Sequence, residues 1–492
     1  MVNDVTGKRR LVRPLSVALC ASLLLFGCGK ERTGPILVSA IGGPPRIVNP
    51  NRDPLDPAAT FLLQTAAQSL VRLDSSGQVT PALAQRWIVS DDGLRYTLRL
   101  ARVEWSGGGR VTAAEVVARL RTAMAPASRN PLKPLLGAID KIDAMTEDVL
   151  EITLKASRPH FLELLAQPEL AILRKGQGTG PYRVSPRSDG ALRLRLPKDE
   201  EVDESDLPRP PDIHLRGERA GLAIARFENG AADLVTGGTA GDLPIARAAR
   251  PSPAMLRFDP VAGLFGLAFT ARGGLTADRQ FRDALNMAID RAGVVAMIGV
   301  PGLQPRLSLL PPGLQDAAGP ALPAWALQPL ADRQASAQRI IAGLGGGSPP
   351  HVRVAMPAGP GYRMVFALLR RDWRSIGVEA QAVAINEPAD LRFVDAVAPA
   401  TMASWYLRSF TCEANPVCDA MADAAMEAGR LAPTLAERRD RLGEADRLLA
   451  DAVPFIPIAA PVRWSLVAPR LTGFQPNAFG RHAADQLIAP RR

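Results

Sequence analysis

The sequence predicts an α/β protein organised as two lobes. At 492 residues the chain exceeds what a single hydrophobic core usually organises, so we expect two lobes. In its second half, amphipathic helices alternate with short apolar strands, a pattern typical of α/β folds. A hydrophobic content of 47% with charges of both signs indicates a globular chain and not a disordered one.

The most informative local pattern lies at residues 77–121. It predicts a helical turn, two short strands and a helix. Leu83, Trp87 and Val89 supply apolar anchors before the DDG sequence at 91–93. That sequence is a hairpin turn signal, because glycine adopts the positive φ that such turns need.

The second strand and the helix of this stretch have equally clear signals. Tyr96, Leu98 and Leu100 alternate with polar residues, as in a strand with one buried face. Thr112 precedes the helix and Glu115 follows three positions later, which is the spacing of a capping box.

Other elements are expected on both sides of this stretch. In the first half they are a strand at 36–38 with a Gly-Pro-rich loop closing at 49–50, an amphipathic helix at 61–73, strands within 140–154, a helix at 159–165, a GTGPY turn at 178–182 before a strand, a surface excursion at 199–211 and a helix-to-strand step at 225–236.

The second half continues the alternation. The helix expected at 281–295 has Leu285, Ala288 and Ile289 on one face and Arg282, Asp283 and Asp290 elsewhere. The other expected elements are a buried strand at 265–269, a turn at 310–313, helices at 335–344 and 362–376, strands from His351 and Val378, a helix from Glu437 that Pro454 stops before a strand, and a last strand around Trp464.

Several of these motifs occur in an order that resembles a known family. PALAQRW at 81–87, SDDGLRYTLRL at 90–100 and VEWSGGGRVTAAEV at 103–116 are similar to the signature of family 5 bacterial solute-binding proteins, the oligopeptide- and dipeptide-binding class of ABC importers. GTGPY at 178–182 also resembles that family. The resemblance implies an α/β, two-lobe periplasmic-binding-protein-like fold (class II, cluster C type) with an interlobe ligand cleft.

The resemblance also implies domain boundaries and a function. Residues 28–260 are expected to form the first part of lobe I, 261–462 lobe II, and 463–492 the return to lobe I. The implied function is capture of peptides or a similar small polar ligand in the cleft and delivery to ABC permease subunits. A non-transport lipoprotein of the same fold, acting as sensor, chaperone or assembly partner, is the alternative.

An enzyme is not expected. The sequence contains no GxSxG, HExxH or Walker loop, and the glycines at 343–347 predict only a flexible linker between a helix and a strand. No cofactor is expected.

The N-terminus predicts export. A basic segment at 8–13 precedes an apolar run from Leu15 to Phe26, which is shorter than the roughly 20 residues needed to span a bilayer. LFGC resembles a lipobox, so residues 1–27 are expected to be a lipoprotein signal peptide and Cys28 the lipidated residue. Cleavage without lipid and retention as an anchor are the alternatives. The mature protein is expected in the periplasm or cell envelope, anchored through its lipid to either the inner or the outer membrane.

The charge balance gives a weaker indication of partners. The net charge of +10 falls to +7 without residues 1–27, and its arginines are interspersed with acidic residues. This excess favours attraction to an anionic membrane face or anionic ligands. We expect no nucleic-acid partner, because no long basic run is present, and we expect a monomer.

Cysteine usage predicts a disulfide. Cys20 leaves with the signal peptide and Cys28 carries the lipid, so Cys412 and Cys418 remain in the folded protein. An oxidising periplasm and the short spacing favour a bond between them. A metal pair is the alternative, but no histidine is near in sequence and no metal motif is visible.

The clearest ligand-site indication is SWYLR at 404–408. It resembles the family's cleft segment, in which a tryptophan is followed three positions later by an aspartate that pairs with a peptide's α-ammonium. Trp405 occupies the first position and Arg408 the second. Because arginine donates to carboxylate or phosphate, we hypothesise that this pocket holds an anionic group and does not clamp a free amino terminus. The alternative is that Trp405 packs in the core and Arg408 is solvated or ion-paired.

Overall fold

The computed structural model shows a mixed α/β protein, as the sequence predicts. It describes residues 34–197, 210–271, 273–344 and 348–488. The expected signal peptide, the lipidation site Cys28 and most of the expected surface excursion at 199–211 lie outside the described residues. Within the described part, no helix is both long enough and apolar enough to cross a membrane.

A seven-stranded sheet combines parallel strands at its centre with antiparallel strands on both sides. In sheet order the strands are β12 (Leu256–Asp259), β18 (Arg463–Val467), β11 (Leu234–Thr239), β1 (Ile36–Ile41), β10 (Ile213–Glu218), β9 (Leu192–Arg195) and β8 (Arg183–Pro186). The central strand β1 is parallel to both neighbours, with Val38 opposite Leu215 on β10 and Leu234 on β11.

A five-stranded sheet forms the second large layer. Its order is β15 (Glu379–Ala384), β14 (His351–Met356), β16 (Leu391–Val397), β13 (Gly263–Phe269) and β17 (Phe455–Ala459). All of β13 is buried, which confirms the buried strand expected at 265–269.

The chain passes between these two sheets through two short connections, at 260–262 and at 460–462. Beside them lies a buried polar cluster. Asp395 on β16 accepts hydrogen bonds from Arg463 Nη1 at 2.7 Å and from the Tyr362 hydroxyl at 2.5 Å. Burial, assisted by the Asp395 carboxylate, raises the pKa of Tyr362 and keeps its hydroxyl a donor. An ion pair therefore ties the start of β18 to the second sheet.

A four-stranded antiparallel sheet and a two-stranded one complete the strands of the described part. The four-stranded order is β4 (Ala84–Val89), β5 (Arg95–Leu100), β7 (Val149–Leu154) and β6 (Ile139–Ala144), and the pair is β2 (Val71–Leu73) with β3 (Val79–Pro81). Gly93 lies in the β4–β5 turn with φ +68°, which confirms the expected hairpin.

The α-helices of the described residues flank these sheets. They are α1 (Pro57–Ala66), α2 (Ala113–Met124), α3 (Lys133–Leu136), α4 (Phe161–Leu165), α5 (Ala220–Glu228), α6 (Leu243–Ala248), α7 (Arg279–Ala288), α8 (Arg291–Ile298), α9 (Leu330–Gly343), α10 (Pro360–Ser375), α11 (Ala403–Arg408), α12 (Ala420–Leu431) and α13 (Leu435–Ala452). The capping box of α2 is confirmed: Thr112 accepts from the Glu115 N–H, and the Glu115 carboxylate accepts from the Thr112 N–H.

Several apolar cores pack the sheets, and one of them is shared by the two large sheets. It packs α7 and α10 on the five-stranded sheet, with Trp373 fully buried, and extends to α5, α6 and strands β11 and β18 of the seven-stranded sheet. A second fills the space between the four-stranded sheet, α2 and α4, and it also includes Met402. A third joins Tyr406 and Leu407 of α11 to α12 and α13. The start of α11 therefore lies where two cores meet.

The helix expected at 61–73 is wrong in both bounds. It begins earlier, because Asp56 accepts from the Ala59 N–H and Pro57 suits the first helical position. It ends at Ala66, because the next residue is extended and the chain then enters β2. Tertiary strand pairing with β3 overrides the helical periodicity there.

The start of the 77–121 stretch also differs from expectation. Strand β3 takes the place of the expected helical turn. Leu83 is fully buried, but Trp87 is half-buried and Val89 is exposed, so only the first is a core anchor. Trp87 and Val89 keep contact with solvent because β4 is an edge strand of its sheet.

The single helix expected at 281–295 is two helices, α7 and α8. The break occurs at Ile289, which is extended, and Asp290 caps α8 by accepting from the Gly293 N–H at 2.9 Å. Arg282 is buried, contrary to its expected place off the apolar face, and donates to the carbonyls of residues 276, 277 and 452. The sequence predicts one helix because the amphipathic pattern continues through Asp290, the residue that caps α8.

The glycines of the GTGPY turn serve close packing, and neither has a positive φ. A Cβ on Gly178 would lie 2.3 Å from the carbonyl oxygen of Ala66 at the end of α1, and one on Gly180 would also clash there. The Gly180 N–H donates to the same Ala66 oxygen at 3.1 Å. The turn therefore approaches the backbone of α1 too closely for any side chain.

One buried carboxyl links folding to pH. Asp446 on α13 is completely buried; its Oδ2 accepts from the Ala321 N–H at 2.6 Å, and its Oδ1 has no partner in the described residues. Burial raises the pKa of Asp446 to about 7. The folded protein therefore holds a proton on Asp446 that the unfolded chain releases above about pH 4.

We expect Asp446→Asn to flatten part of the pH dependence of stability. For a carboxyl whose pKa is raised by folding, the free energy of unfolding falls as pH rises from about 4 to about 7. The asparagine stays neutral and still accepts from Ala321, so at pH 8 the variant should be more stable by up to a few kcal/mol, and about equal at pH 4. Urea unfolding followed by circular dichroism measures this. Exposed Asp440→Asn on the same helix is the control, and parallel pH curves for wild type and Asp446→Asn would contradict the expectation.

Candidate functional site

Trp405 and Arg408 lie one turn apart on the short helix α11. Trp405 is half-buried and packs edge-on against Tyr406, with ring centroids 4.8 Å apart. Arg408 is also half-buried. Trp405 also packs against the second and third apolar cores. Whether the two residues contact a ligand stays a prediction.

The N-terminus of α11 is held by a residue distant in sequence. Asp316 Oδ1 accepts from the Ala403 N–H at 2.9 Å, which replaces the side-chain cap that Met402 cannot supply. Asp316 also faces Arg438 of α13, with Oδ2 3.6 Å from Nε, and both side chains are buried. Burial raises the pKa of Asp316 and lowers the pKa of Arg438 to about 10, which leaves the guanidinium charged at neutral pH.

A narrow, partly open cavity lies between α3 and α4 on one wall and α11, α12 and α13 on the other. Its volume of about 20 Å³ has room for about one water molecule in this conformation. Its lining includes apolar side chains such as Phe161, Met402 and Met426. Its charged lining consists of four arginines, Arg158, Arg408, Arg430 and Arg438, and contains no carboxylate.

The four arginines differ in how they are paired. Arg430 pairs with Glu427, and Arg438 faces Asp316. Arg158 is 6% exposed; its Nη2 donates to the Arg430 carbonyl at 2.6 Å and its Nη1 to the Ser157 carbonyl at 3.3 Å.

Arg408 has no hydrogen bond from its guanidinium, and no ion pair within 4.0 Å, to any part of the chain that the structure describes. Burial lowers the pKa of Arg408; Glu427 and Asp423 oppose this shift from a distance and Arg430 adds to it. Arginine nevertheless stays protonated in proteins, so a charged group faces the cavity.

The predicted disulfide between Cys412 and Cys418 is confirmed, with Cα atoms 5.0 Å apart. It closes the loop that connects α11 to α12. Asp423 accepts from the Cys412 N–H at 3.0 Å, and Asp419 caps α12 through the Ala422 N–H at 2.9 Å. For so short a loop the bond contributes about 2 kcal/mol. The loop therefore fixes the spacing between the arginines of α11 and α12.

The opposite wall touches the α11 segment through His160 and Glu163. His160 has a positive φ of 62°, and its Nδ1 lies 2.7 Å from Glu163 Oε1. Glu163 Oε2 accepts from the Thr401 N–H at 2.9 Å. Burial alone raises the pKa of Glu163, but the bonds from His160 and Thr401 outweigh it and lower the pKa of Glu163 overall. The same contact raises the pKa of His160.

Sequence reasoning singled out Arg408 but missed Arg158, Arg430 and Arg438. Each lies in a segment without a motif, and about 250 residues separate Arg158 from Arg408 along the chain. In the described residues, no group of three or more His, Cys, Asp or Glu could hold a metal ion. The site therefore has the chemistry of a cationic recognition surface.

Comparisons with known proteins agree with this fold. The family model for bacterial extracellular solute-binding proteins, family 5 Middle, matches residues 78–411, about two thirds of the chain. The glutathione-binding protein GsiB of Escherichia coli O1:K1 is 33% identical over 150 residues, which cover 27% of this chain and 29% of that protein. The match thus spans less than a third of the length of this curated relative.

Solved structures extend the similarity to nearly the whole chain. Haemophilus influenzae OppA, in complex with the peptide RPPGFSPFR, superimposes with a TM-score of 0.80 at 16% identity, covering 93% of this chain and 99% of that one. The murein tripeptide binding protein MppA of Escherichia coli gives 0.80 at 17% identity, with coverages of 94% and 99%. At these identities the similarity establishes the fold. The matched proteins are substrate-binding proteins and not enzymes.

Proposed function

The chain belongs to the bacterial extracellular solute-binding proteins of family 5, and we propose that it is the substrate-binding lipoprotein of an ABC importer. It captures a peptide or a similar small polar ligand and delivers that ligand to a membrane permease. The observation that carries this proposal is the family match over residues 78–411 together with a fold shared over 93% of the chain with OppA.

The proposed division into lobes follows the two large sheets. Residues 28–260 and 463–492 form lobe I and residues 261–462 form lobe II, so the connections at 260–262 and 460–462 act as the hinge. The arginine-lined cavity then lies between the lobes, since α3 and α4 belong to lobe I and α11 to α13 to lobe II. A ligand stabilises closure by contacting both walls.

We propose that Trp405 and Arg408 contact the ligand. Arg408 lines this cavity, whereas Trp405 lies beside it on α11 and outside the cavity lining. Arg408 presents a charged guanidinium without a hydrogen-bond partner in the described residues. A free α-ammonium would face four arginines and no carboxylate there. The ligand end that reaches α11 is therefore an anionic group and not a free amino terminus.

The mature protein is proposed to be a monomer of the cell envelope that is anchored through lipid on Cys28 after loss of residues 1–27. We expect wild-type protein from cells grown with radiolabelled palmitate to carry the label and Cys28→Ser to carry none, because the variant lacks the thiol that is acylated. An unlabelled wild-type protein would contradict the lipid anchor.

Transport is tested in cells. Native mass spectrometry of protein purified from its own envelope identifies the bound compound, and uptake of that compound is then measured in a deletion strain and a complemented strain. We expect uptake to fall in the deletion strain and to return on complementation. Unchanged uptake would favour the sensor, chaperone or assembly role instead.

Recognition at Arg408 is tested by calorimetry with Ala-Ala and N-acetyl-Ala-Ala. We expect the acetylated peptide, whose only charge is negative, to bind about tenfold more tightly or better, because a charge-assisted hydrogen bond to Arg408 has that magnitude. Arg408→Ala should remove this preference, and Arg447→Ala on the exposed face of α13 is the control. Tight Ala-Ala binding that Arg408→Ala leaves unchanged would contradict the hypothesis.

A further inference from the structure

The pairing of buried arginines elsewhere in the chain provides a standard for the cavity. Arg282 and Arg291 are buried, and each makes four hydrogen bonds to oxygen acceptors of the protein. These bonds use most of the five N–H donors of a guanidinium. Arg282 and Arg291, which lie away from the cavity, therefore have almost all of their donors paired.

Arg158 and Arg408 make fewer guanidinium hydrogen bonds than Arg282 and Arg291 do. Arg158 is as deeply buried as Arg282, at 6% against 7% exposed, yet it makes two hydrogen bonds where Arg282 makes four. Half-buried Arg408 makes none with the described residues from its guanidinium. Donors of a charged group that burial leaves without acceptors are unfavourable, so both guanidiniums have donors available for a ligand.

The charged groups around the cavity determine how many of its arginines lack a carboxylate partner. Glu427 neutralises Arg430, and Asp316 neutralises Arg438. No carboxylate lies within 4.0 Å of Arg158 or Arg408 in the described part of the chain, and none lines the cavity. Two guanidiniums, one on each wall, thus lack a carboxylate in direct contact, although Glu427 and Asp423 act on Arg408 from a distance.

We propose that Arg158 and Arg408 form a two-sided clamp for a dianionic ligand group, either a pair of carboxylates or one phosphate monoester. This inference rests on the proposed function, because it takes the cavity to be the ligand site, and it adds the class of ligand. Both guanidiniums offer a donor fork that matches carboxylate and phosphate geometry. The apolar lining supplied by Phe161, Met402 and Met426 receives a short apolar body attached to that group.

The clamp also links ligand charge to closure. Because Arg158 lies on the α4 side and Arg408 on α11, the empty cavity brings two like charges together as its walls approach. A single negative charge compensates one guanidinium and leaves the other buried and unpaired. A dianion compensates both, so it stabilises the closed cavity more than a monoanion of the same shape does.

Isosteric probes separate charge from shape. N-acetyl-aspartate carries two negative charges and N-acetyl-asparagine carries one, while the two molecules have nearly the same size. N-acetyl-O-phosphoserine amide, a dianion, and the nearly isosteric N-acetyl-O-sulfoserine amide, a monoanion, form the second pair and distinguish a phosphate monoester from a dicarboxylate. Calorimetry at low ionic strength gives each Kd, and the preference for the dianion should weaken as salt is added.

We expect wild-type protein to bind the dianion of at least one pair about tenfold more tightly or better than its isostere. Arg158→Gln should reduce this preference to about twofold or less, and Arg158→Lys should retain part of it, since lysine keeps the charge without the fork. Arg353→Gln, which removes an exposed arginine paired with Glu387, is the matched control and should leave the preference unchanged.

The controls keep the outcomes distinct. If Arg158→Gln unfolds at a lower urea concentration than wild type, Arg408→Gln supplies the same comparison from the other wall. Equal binding of both members of each pair, or binding of neither pair while Ala-Ala binds, would overturn the clamp and leave the proposed function standing. Failure of the proposed function is recognised separately, by unchanged uptake in the deletion strain.

Discussion

Two connections of only three residues each, at 260–262 and 460–462, join the two large sheets, and the arrangement of the whole structure depends on what holds these sheets together. Contacts between the sheets supply the rest of the constraint. One apolar core includes Leu466 of the seven-stranded sheet together with Phe265 of the five-stranded sheet. Beside the connections, the Asp395 carboxylate accepts hydrogen bonds from Arg463 and Tyr362. The shared core and the Asp395 cluster together set the position of one sheet relative to the other.

The candidate site illustrates how recognition residues are positioned from a distance. α11 has six residues and no side-chain cap of its own, so it would be marginal in isolation. Asp316 caps it, Arg438 compensates Asp316, and the apolar residues Tyr406 and Leu407 bury one of its faces. Arg408 is left towards the cavity, and Trp405 packs half-buried against the second and third cores. A cationic surface is therefore assembled from residues whose own positions depend on buried contacts.

The sequence predicts the local structure better than the site. The β4–β5 hairpin, the Thr112 capping box and the buried strand β13 were all predictable, because each depends on residues within a few positions of one another. The division of 281–295 into two helices was not, because Asp290 interrupts a periodic pattern that looks continuous. Arg408 could be singled out because it stands in a recognisable motif. Arg158 could not, since only the tertiary fold brings it to the same cavity.

The loop closed by Cys412 and Cys418 has a consequence for where the protein can mature. In a reducing compartment this loop loses about 2 kcal/mol of constraint on the unfolded chain, and the hydrogen bonds that Asp423 and Asp419 accept remain to hold it. The folded form of the segment between α11 and α12 is therefore more stable where the two thiols meet an oxidant.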